Sequence, residues 1–377
     1  MLQRLSRVAP DGLSVRIFYA ADHSPNSEIP GSRLWYANLF LPLRDLGHEL
    51  IPFEFDMAGF SSNLDATHEP QRSYIETHRP ALEQALLAQV RKAHAEAPLD
   101  LFFSYFYAAH CRPEVIREIR ALGVATMNWY CNASYQFHLV RDLAPAYDWC
   151  LVPERDRLDD YRAAGARPIY VQEAANPTVY HPVDAPRRYD LTFCGSCYGD
   201  RPDLATAVAD ADLDLRIFGP GWEAWAARTR VDEARLASRA KRLFRAPPRR
   251  PAVGPALSDD EMIRLYSESQ VSLGFSSCGE THRTKQRILQ VRLRDFEAPM
   301  CGAFYLVEYM RELADFFEED KEMVFYRDRR ELIDKARFYL ANDDARTRIA
   351  QAGRRRALAE HTWQHRFRAA FREAGLG

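Results

Sequence analysis

The stretch RTKQRILQVRLRDFEAPMCGAFYLVE, residues 283–308, predicts a loop, a helix, a tight turn and a buried strand in that order. Apolar residues recur along it at three- and four-residue spacing, which predicts one buried helical face. They are Leu289, Leu293, Phe296 and Met300. The pair Cys301-Gly302 is typical of the turn that ends such a helix, and hydrophobic residues 304–307 follow it. A helix joined to a buried strand in this way indicates an α/β fold.

A second face of the same predicted helix is polar. Arg287, Arg294 and Glu297 share it, because residues three and seven positions apart stack on a helix. A guanidinium can bind a phosphate with two hydrogen bonds, and a carboxylate one turn further on can accept from ribose hydroxyls. This face therefore predicts contacts with a nucleoside diphosphate. A simple surface ion pair between Arg294 and Glu297 is the alternative.

Composition narrows the class of protein. A chain of 377 residues predicts two domains, and a hydrophobic content of 47% is enough for sizeable cores. The net charge of −2 indicates no general attraction to nucleic acid or to anionic membranes. No apolar run has the length of a membrane span, and the N-terminal residues lack the pattern of a secretory signal. We therefore expect a cytoplasmic, soluble protein.

Strand and helix patterns alternate along both halves of the chain, which predicts two doubly wound parallel sheets. Between the halves, residues 173–188 carry three prolines without a regular period and predict a linker. We expect one domain over 1–176, a second over 177–359, and a C-terminal helix at about 360–377 that packs back on the first. Ligands of such sheets bind beyond the carboxyl ends of the strands, so candidate residues are sought there.

The loop FCGSCYGDR, residues 193–201, follows a predicted strand. Gly195 and Gly199 would let backbone amides approach a phosphate, and Arg201 would add a charged contact. An ordinary strand-to-helix turn is one alternative. The CGSC sequence also fits a redox pair, whereas zinc is disfavoured because no second Cys or His pair accompanies it.

Two further loops predict donor contacts. Gly219 and Gly221 suit close approach of a ligand after a strand, and Trp222 could stack on a base or a sugar; a Pro-Gly turn with a core tryptophan is the alternative. In the loop SSCGETHRTK, hydroxyls and cations could bind a diphosphate. The residues concerned are Ser276, Ser277, Arg283 and Lys285.

The N-terminal half supplies candidates for a general base. Asp22 and His110 follow predicted strands, and an inverting transferase needs such a group to take the proton of its acceptor. A retaining transferase relies instead on electrostatic stabilisation of the leaving group. Asn132 and Gln136, which lie among aromatic residues, suit a ligand rich in hydroxyls, and an aromatic core is the competing interpretation.

The segment RDFEAPMCGAFYL and the three helical patterns that follow it resemble the C-terminal half of bacterial group-1 glycosyltransferases, in the CgeB-like branch. The similarity is clearest over residues 189–370. It implies a GT-B fold, with two Rossmann-like domains that face each other across a cleft. The resemblance also implies transfer of a sugar from a nucleotide-activated donor of the UDP, GDP or TDP type to an acceptor that it does not identify: a glycan, a small molecule or a protein.

The resemblance extends to individual residues. Gly195, Ser196 and Arg201 match a loop of that family, and Glu297 matches its ribose-binding glutamate, with Phe296, Cys301 and Gly302 beside it. Apart from these matches, we expect Arg294, with Arg283 or Lys285, to neutralise the leaving diphosphate.

The resemblance also departs from the family at one position. Many members carry another carboxylate eight residues before this glutamate, where Leu289 stands here. That departure leaves open a non-catalytic nucleotide- or sugar-binding protein, and a nucleotide-sugar epimerase is a further alternative. No paired carboxylates of the Asp-x-Asp type follow a strand, so we expect no metal.

Overall fold

The computed structural model describes residues 8–9, 12–23, 32–60, 63–228, 250–278 and 287–376. The chain divides into two compact units. The first runs to Asn176 and takes up the chain again from Trp363, and the second spans Pro177–Thr362. Each unit has its own hydrophobic core and its own six-stranded sheet.

The first unit contains a parallel sheet of six short strands. In chain order they are β1 (Arg16–Ala20), β2 (Glu49–Pro52), β3 (Leu101–Ser104), β4 (Ala125–Trp129), β5 (Trp149–Val152) and β6 (Pro168–Tyr170). Across the sheet their order is β2-β1-β3-β4-β5-β6. All four residues of β3 are buried, as expected for a parallel strand that is covered on both faces. A short antiparallel pair, Val8–Ala9 with Gly12–Leu13, precedes the sheet.

Helices connect these strands. They are α1 (Ser32–Trp35), α2 (Leu41–Asp45), α3 (Gln71–Glu96), α4 (Pro113–Ala121), α5 (Ala133–Gln136) and α6 (Leu158–Ala163). A π-helical turn, Tyr36–Phe40, joins α1 to α2. Single 3₁₀ turns occupy Ala58–Phe60, Phe137–Leu139, Ala144–Ala146 and Arg155–Arg157.

The second unit repeats the plan with a second parallel sheet. Its strands are β7 (Tyr189–Cys194), β8 (Leu215–Phe218), β9 (Ala252–Gly254), β10 (Ser269–Gly274), β11 (Tyr305–Glu308) and β12 (Val324–Tyr326). Their order across the sheet is β9-β8-β7-β10-β11-β12. The two doubly wound parallel sheets that the alternation predicts are therefore confirmed.

The helices of this unit are α7 (Arg201–Asp210), α8 (Asp259–Glu268), α9 (Leu293–Met300), α10 (Arg311–Ala314), α11 (Arg329–Ala341) and α12 (Asp343–Glu360), with a further helical stretch over 222–228. The chain then enters α13 (Trp363–Ala374), which belongs to the first unit. No helix in the described part of the chain is both long and apolar enough to cross a membrane.

The helix within residues 283–308 is shorter than the apolar spacing predicts. It begins at Leu293, because the Asp295 carboxylate accepts a hydrogen bond from the Arg292 amide at 2.9 Å and closes the first turn. Leu289 instead pairs with Ser277 in an isolated bridge, so neither Leu289 nor Arg287 lies on the helix. The predicted face that joins Arg287 to Arg294 is therefore wrong.

Strand order places one switch point in each sheet. In the second unit the chain passes from β7 outward to β8 and β9 and then returns to β10 on the other side of β7. In the first unit the same reversal occurs between β1 and β3. The loops that leave two such strands diverge and open a crevice at their carboxyl ends, which is where open α/β sheets bind ligands.

Candidate functional site

An ion-pair network spans the switch point of the second unit. Asp200, which follows β7, accepts from the Ser277 hydroxyl at 2.5 Å and from Arg287 Nε at 2.5 Å. Arg287 Nη2 donates to Glu308 Oε2, at the end of β11, at 2.7 Å. Burial raises the pKa of Asp200, but the hydrogen bonds from Ser277 and Arg287 outweigh it and leave that pKa below its usual value. The network thus ties together the ends of β7, β10 and β11.

Two arginines share one tyrosine beside this network. The Arg201 guanidinium lies 4.0 Å from the centre of the Tyr198 ring, and Arg292 Nη1 donates to the Tyr198 hydroxyl at 2.7 Å. Arg201 is only 4% exposed, and its Nη atoms donate to the carbonyls of Ser196 at 2.9 Å and Phe275 at 3.0 Å. Burial, and then the nearby charge of Arg292, lowers the pKa of Arg201 to about 10. Two cations held this close favour an anionic ligand.

A buried carboxyl group lies behind Arg292. Asp295 accepts from the Tyr305 hydroxyl at 3.1 Å as well as from the Arg292 amide. Burial raises its pKa to about 6, although these hydrogen bonds and the charge of Arg292 oppose the change. Asp295 fixes the start of α9 and so fixes where the Arg292 side chain begins.

The Arg294–Glu297 ion pair forms, but not on the surface. Glu297 is 0% exposed, whereas the Arg294 side chain keeps 34% of its exposure. Burial, and then the charge of Glu297, raises the pKa of Tyr180 well above its usual value. Cys194, the last residue of β7, also lies within the electrostatic reach of this pair. Arg294 is thus a half-exposed cation that a buried carboxylate holds at the end of β7.

The glycines of the β7 and β8 loops serve loop packing rather than direct ligand contact. The Gly195 amide donates to the Phe218 carbonyl at 2.9 Å, so it is not available to a phosphate as predicted. A side chain at Gly219, where φ is +140°, would come within 2.3 Å of the Gly195 carbonyl oxygen. At Gly195 itself it would come within 3.2 Å of Arg201 Nη1. The glycines therefore let two loops meet and leave room for the Arg201 guanidinium.

Several other predicted donor contacts are structural. Trp222 is 0% exposed and donates to the Gly195 carbonyl at 2.7 Å, so the core interpretation replaces stacking on a base or sugar. Phe296 is buried against Phe316, Phe317 and His361. Because its whole surface is covered by protein, it cannot contact a nucleotide in this conformation.

The remaining predicted donor residues lie near the site but face protein. Ser276 and Ser277 are buried, and Cys301 is buried at the end of α9. Added side chains would meet Cys197 within 3.2 Å at Gly221 and Pro182 within 3.2 Å at Gly302. Arg283 and Lys285 lie outside the described residues.

The redox interpretation of the CGSC sequence finds no support in its surroundings. Cys194 and Cys197 are both free. Burial raises the pKa of each thiol, whereas a reactive cysteine needs a lowered one.

In the first unit the two candidate bases differ in position. His110 is buried, its ring lies 4.9 Å from that of Phe106 and 4.4 Å from that of Tyr107, and burial lowers its pKa to about 3. It belongs to the core, so its predicted role as a base is wrong. Asp22 is half-buried directly after β1, and burial together with the charge of Asp22 raises the pKa of Tyr19. Asp22 therefore lies at the switch point of the first sheet.

The sequence analysis does not identify three residues that hold the switch-point loops of the second unit together. Arg292, Tyr198 and Glu308 were not candidates, because their partners lie 15 to 94 positions away along the chain. Arg292 could have been identified from its position, because it comes directly before a helix at the carboxyl edge of the sheet, where ligands of such sheets bind. Among the described residues no cluster of three or more His, Cys, Asp or Glu side chains could hold a metal ion. Independence of metal stays a prediction.

Comparisons with known proteins agree with this fold. Residues 201–372 match the family model described as glycosyl transferase-like. No curated protein matches the sequence.

Solved structures cover nearly the whole chain. Sucrose-phosphate synthase from Thermosynechococcus elongatus has 14% identity and a TM-score of 0.63, over 96% of this chain and 99% of that one. HepE from Anabaena in complex with UDP-glucose has 12% identity and a TM-score of 0.60, over 96% and 100%. The trehalose 6-phosphate synthase of Burkholderia multivorans has 11% identity and a TM-score of 0.57, over 96% and 99%. The predicted GT-B fold is thereby confirmed.

Proposed function

We propose that this protein is a glycosyltransferase that moves a sugar from a nucleoside diphosphate sugar to a hydroxyl group of an acceptor. The observation that carries the proposal is the arginine cluster of the second unit. Arg287, Arg292 and Arg294 all keep exposed surface. The partners of Arg287 and Arg292 lie at the ends of β7, β10 and β11, and the partner of Arg294 is Glu297 on α9. A diphosphate needs this concentration of positive charge, and the match to glycosyl transferase-like proteins includes all three residues.

The role proposed for each charged residue follows from how much of its side chain is exposed. Arg292 and Arg294 are the proposed diphosphate contacts, because both are half-exposed and neither is held between two carboxylates as Arg287 is by Asp200 and Glu308. Glu297 holds Arg294 in place through the ion pair, and because Glu297 is fully buried its carboxylate does not reach a ribose in this conformation. Arg201 is too buried to bind the donor directly, so its charge acts at short range behind Tyr198.

The chemistry that these groups supply is electrostatic. As the bond between the anomeric carbon and the diphosphate oxygen breaks, negative charge grows on the leaving group, and fixed cations stabilise it without reorganisation. This supports the proposal that no metal takes part. Asp22 is the proposed general base for an inverting route.

UDP is the proposed nucleotide. The support is the structural similarity to HepE, which binds UDP-glucose. The acceptor and the transferred sugar are not indicated by this comparison.

The test is a thermal-shift screen of the purified protein against UDP, GDP, TDP, ADP and CDP. A diphosphate at a hundredfold excess over its dissociation constant adds about 2.7 kcal/mol of stability. We expect UDP to raise the melting temperature of the wild type and of Arg311→Ala, an exposed arginine on α10, but not that of Arg292→Ala. Absence of a shift with every diphosphate would contradict the donor site.

A second candidate, a nucleotide-sugar-binding protein without catalysis, is favoured by Leu289. This residue stands where many similar enzymes carry a carboxylate, and its backbone is fixed by the bridge to Ser277. Incubation with UDP-glucose separates the two functions, because a transferase releases UDP slowly even when water is the acceptor. Release that persists in excess EDTA supports the metal-independent enzyme, and full dependence on added metal would overturn that part of the proposal. Binding without any release favours the second candidate.

A further inference from the structure

A pair of aromatic rings occupies the switch point of the first unit. Trp35 belongs to the helix that follows β1, and Tyr105 is the first residue after β3. Their ring centres lie 4.8 Å apart with an interplanar angle of 29°. The two rings stack, so each covers one face of the other, and because both residues are only half-buried the stacked pair keeps exposed surface. We call these two residues the aromatic shelf.

Hydrogen-bonding groups adjoin the aromatic shelf. The Tyr105 hydroxyl accepts from Asn132 Nδ2 at 3.4 Å, and the Tyr135 hydroxyl donates to Asn132 Oδ1 at 3.1 Å. Asn132 and Tyr135 are half-buried and follow β4, the next strand of the sheet. Amide and hydroxyl groups therefore continue the surface on which the two rings lie.

Buried contacts hold this surface in place. The Glu154 carboxylate accepts from the Ala133 amide at 2.8 Å and so fixes the start of α5, which carries Tyr135. The hydroxyl of buried Tyr19 donates to the Trp35 carbonyl at 3.3 Å. These surface residues are thus held by a residue of β1 and by a residue of the loop that follows β5.

The helix that carries Trp35 is irregular at this point. A π-helical turn, Tyr36–Phe40, begins directly after it, with the Leu41 amide bonded to the Tyr36 carbonyl. A π-turn is less favourable than a regular α-turn, and such turns occur frequently at functional sites. It is an observation independent of the ring contact, and it points to the same residue.

We infer that the aromatic shelf binds a sugar ring of the acceptor, so that the acceptor is a carbohydrate. The C–H faces of a pyranose pack on aromatic rings, while its hydroxyls need amide and hydroxyl partners such as Asn132 and Tyr135. A purely aromatic acceptor would use the rings but would make no use of the amide and hydroxyl groups beside them. This inference rests on the proposed function and adds the class of its acceptor.

The transfer step balances with this assignment. An acceptor oxygen forms a bond to the anomeric carbon of the donor, while the bond from that carbon to the diphosphate oxygen breaks. The hydroxyl proton passes to a base, for which half-buried Asp22 at the end of β1 is the proposed group. The electron pair of the broken bond leaves with the diphosphate.

The test measures the binding of defined sugars to the full chain in the presence of UDP. Saturation-transfer NMR detects binding, and calorimetry gives the affinity. The probes are methyl α-glucoside, N-acetylglucosamine, maltose, cellobiose and sucrose, with sorbitol and phenol as non-carbohydrate comparisons. We expect at least one sugar to bind the wild type, and Trp35→Ala to weaken it about tenfold. Trp35→Phe, which retains a ring, restores most of the affinity. Trp149 is a half-buried tryptophan at the start of β5, and therefore at the amino ends of the strands, and Trp149→Ala serves as the matched control.

Two results would overturn the inference: no sugar binds, whether or not phenol does, or a sugar binds Trp35→Ala as tightly as the wild type. Asn132→Ala provides the same comparison without removing a large side chain, in case Trp35→Ala does not fold. Binding of UDP is measured on every variant. If UDP binds and no sugar binds, the inference about the acceptor is wrong and the proposed donor site is retained. If UDP does not bind, the proposed function itself is wrong.

Discussion

Glu297 is a fully buried carboxylate whose partner Arg294 reaches the surface. Moving the Glu297 charge out of water costs several kcal/mol, whereas Arg294 keeps part of its hydration, and such a pair is often no more stabilising than apolar residues of the same volume. Stability therefore gives little reason for this pair. Its position at the end of β7 supports a role in binding, in which the carboxylate sets the direction of the guanidinium.

Substitutions of Glu297 alone and of Glu297 together with Arg294 distinguish the contribution of the ion pair to stability from its contribution to UDP binding. Glu297→Ala leaves the half-buried Arg294 cation without its partner and is expected to cost about 1–3 kcal/mol of unfolding free energy. The double variant Arg294→Met with Glu297→Leu is expected to recover most of that loss and still to bind UDP poorly. Urea unfolding and calorimetry measure the two quantities. A stable double variant that binds UDP like the wild type would show that the pair is structural only.

Glu154 predicts a pH dependence of stability. Burial raises its pKa from 4.5 to about 8, although hydrogen bonds from backbone amides oppose the change. Between those values the folded state holds a proton that the unfolded state has released, so the free energy of unfolding falls as pH rises from about 4.5 to 8. The loss is on the order of a few kcal/mol.

Glu154→Gln removes this titration but keeps an oxygen that can accept from the Ala133 amide. The difference in unfolding free energy between wild type and variant should therefore change steadily from pH 5 to pH 8. Taking the difference cancels other titrating groups, such as Asp295. A difference that stays constant over this range would contradict the raised pKa.

Among the elements, the two loops after β7 and β8 depend on each other most closely. At Gly219 an alanine would combine an unfavourable φ of +140° with an approach of 2.3 Å to the Gly195 carbonyl. Gly123 has φ of +85° with nothing within 4 Å, which makes it a matched control. Gly123→Ala is expected to cost about 1 kcal/mol for its backbone alone.

Gly219→Ala is expected to cost clearly more than that, and to weaken UDP binding because the loop that holds Arg201 must shift. Thermal unfolding and UDP titration of both variants provide the measurement. Equal losses of stability in the two variants would mean that the loops separate easily.

The helices and strands could be predicted because the spacing of apolar residues indicates which face of a segment is buried. That spacing is a local property of the sequence. The β-α alternation and the buried strand β3 follow from it directly. The start of α9 at Leu293 does not, because it depends on the contact between Asp295 and the Arg292 amide. Trp222 and His110 show the same limit: whether a tryptophan or histidine after a strand meets a ligand or the core is decided by residues far away in the sequence.

For the molecule as a whole, the first unit depends on a helix that the chain forms only after the second unit, and this dependence can be measured. Trp363 in α13 is fully buried, its indole donates to Asn38 Oδ1 at 3.0 Å, and its ring lies 5.1 Å from that of Trp129. Losing one buried tryptophan costs about 3–5 kcal/mol. Removal of the chain from Trp363 onward should therefore destabilise the first unit and spare the second.

Hydrogen exchange measures this prediction strand by strand. In the truncated protein, amides of β1 to β6 are expected to lose protection while amides of β7 to β12 retain it, and UDP is expected still to slow exchange near α9. Arg372→Ala, an exposed position on α13, is the control for a change that keeps the helix. Equal loss of protection in both sheets would mean that the two units do not unfold separately.

The return of α13 to the first unit also sets an order of events during synthesis. A ribosome makes the first six strands early, but the helix that covers Trp129 and Phe103 is translated only after the whole of the second unit. Until then the nascent first sheet carries an uncovered aromatic surface while the second unit has all of its own chain. The half of the molecule that begins first is therefore the half that finishes last, and its aromatic surface stays open to non-native contacts for as long as the second unit takes to be made.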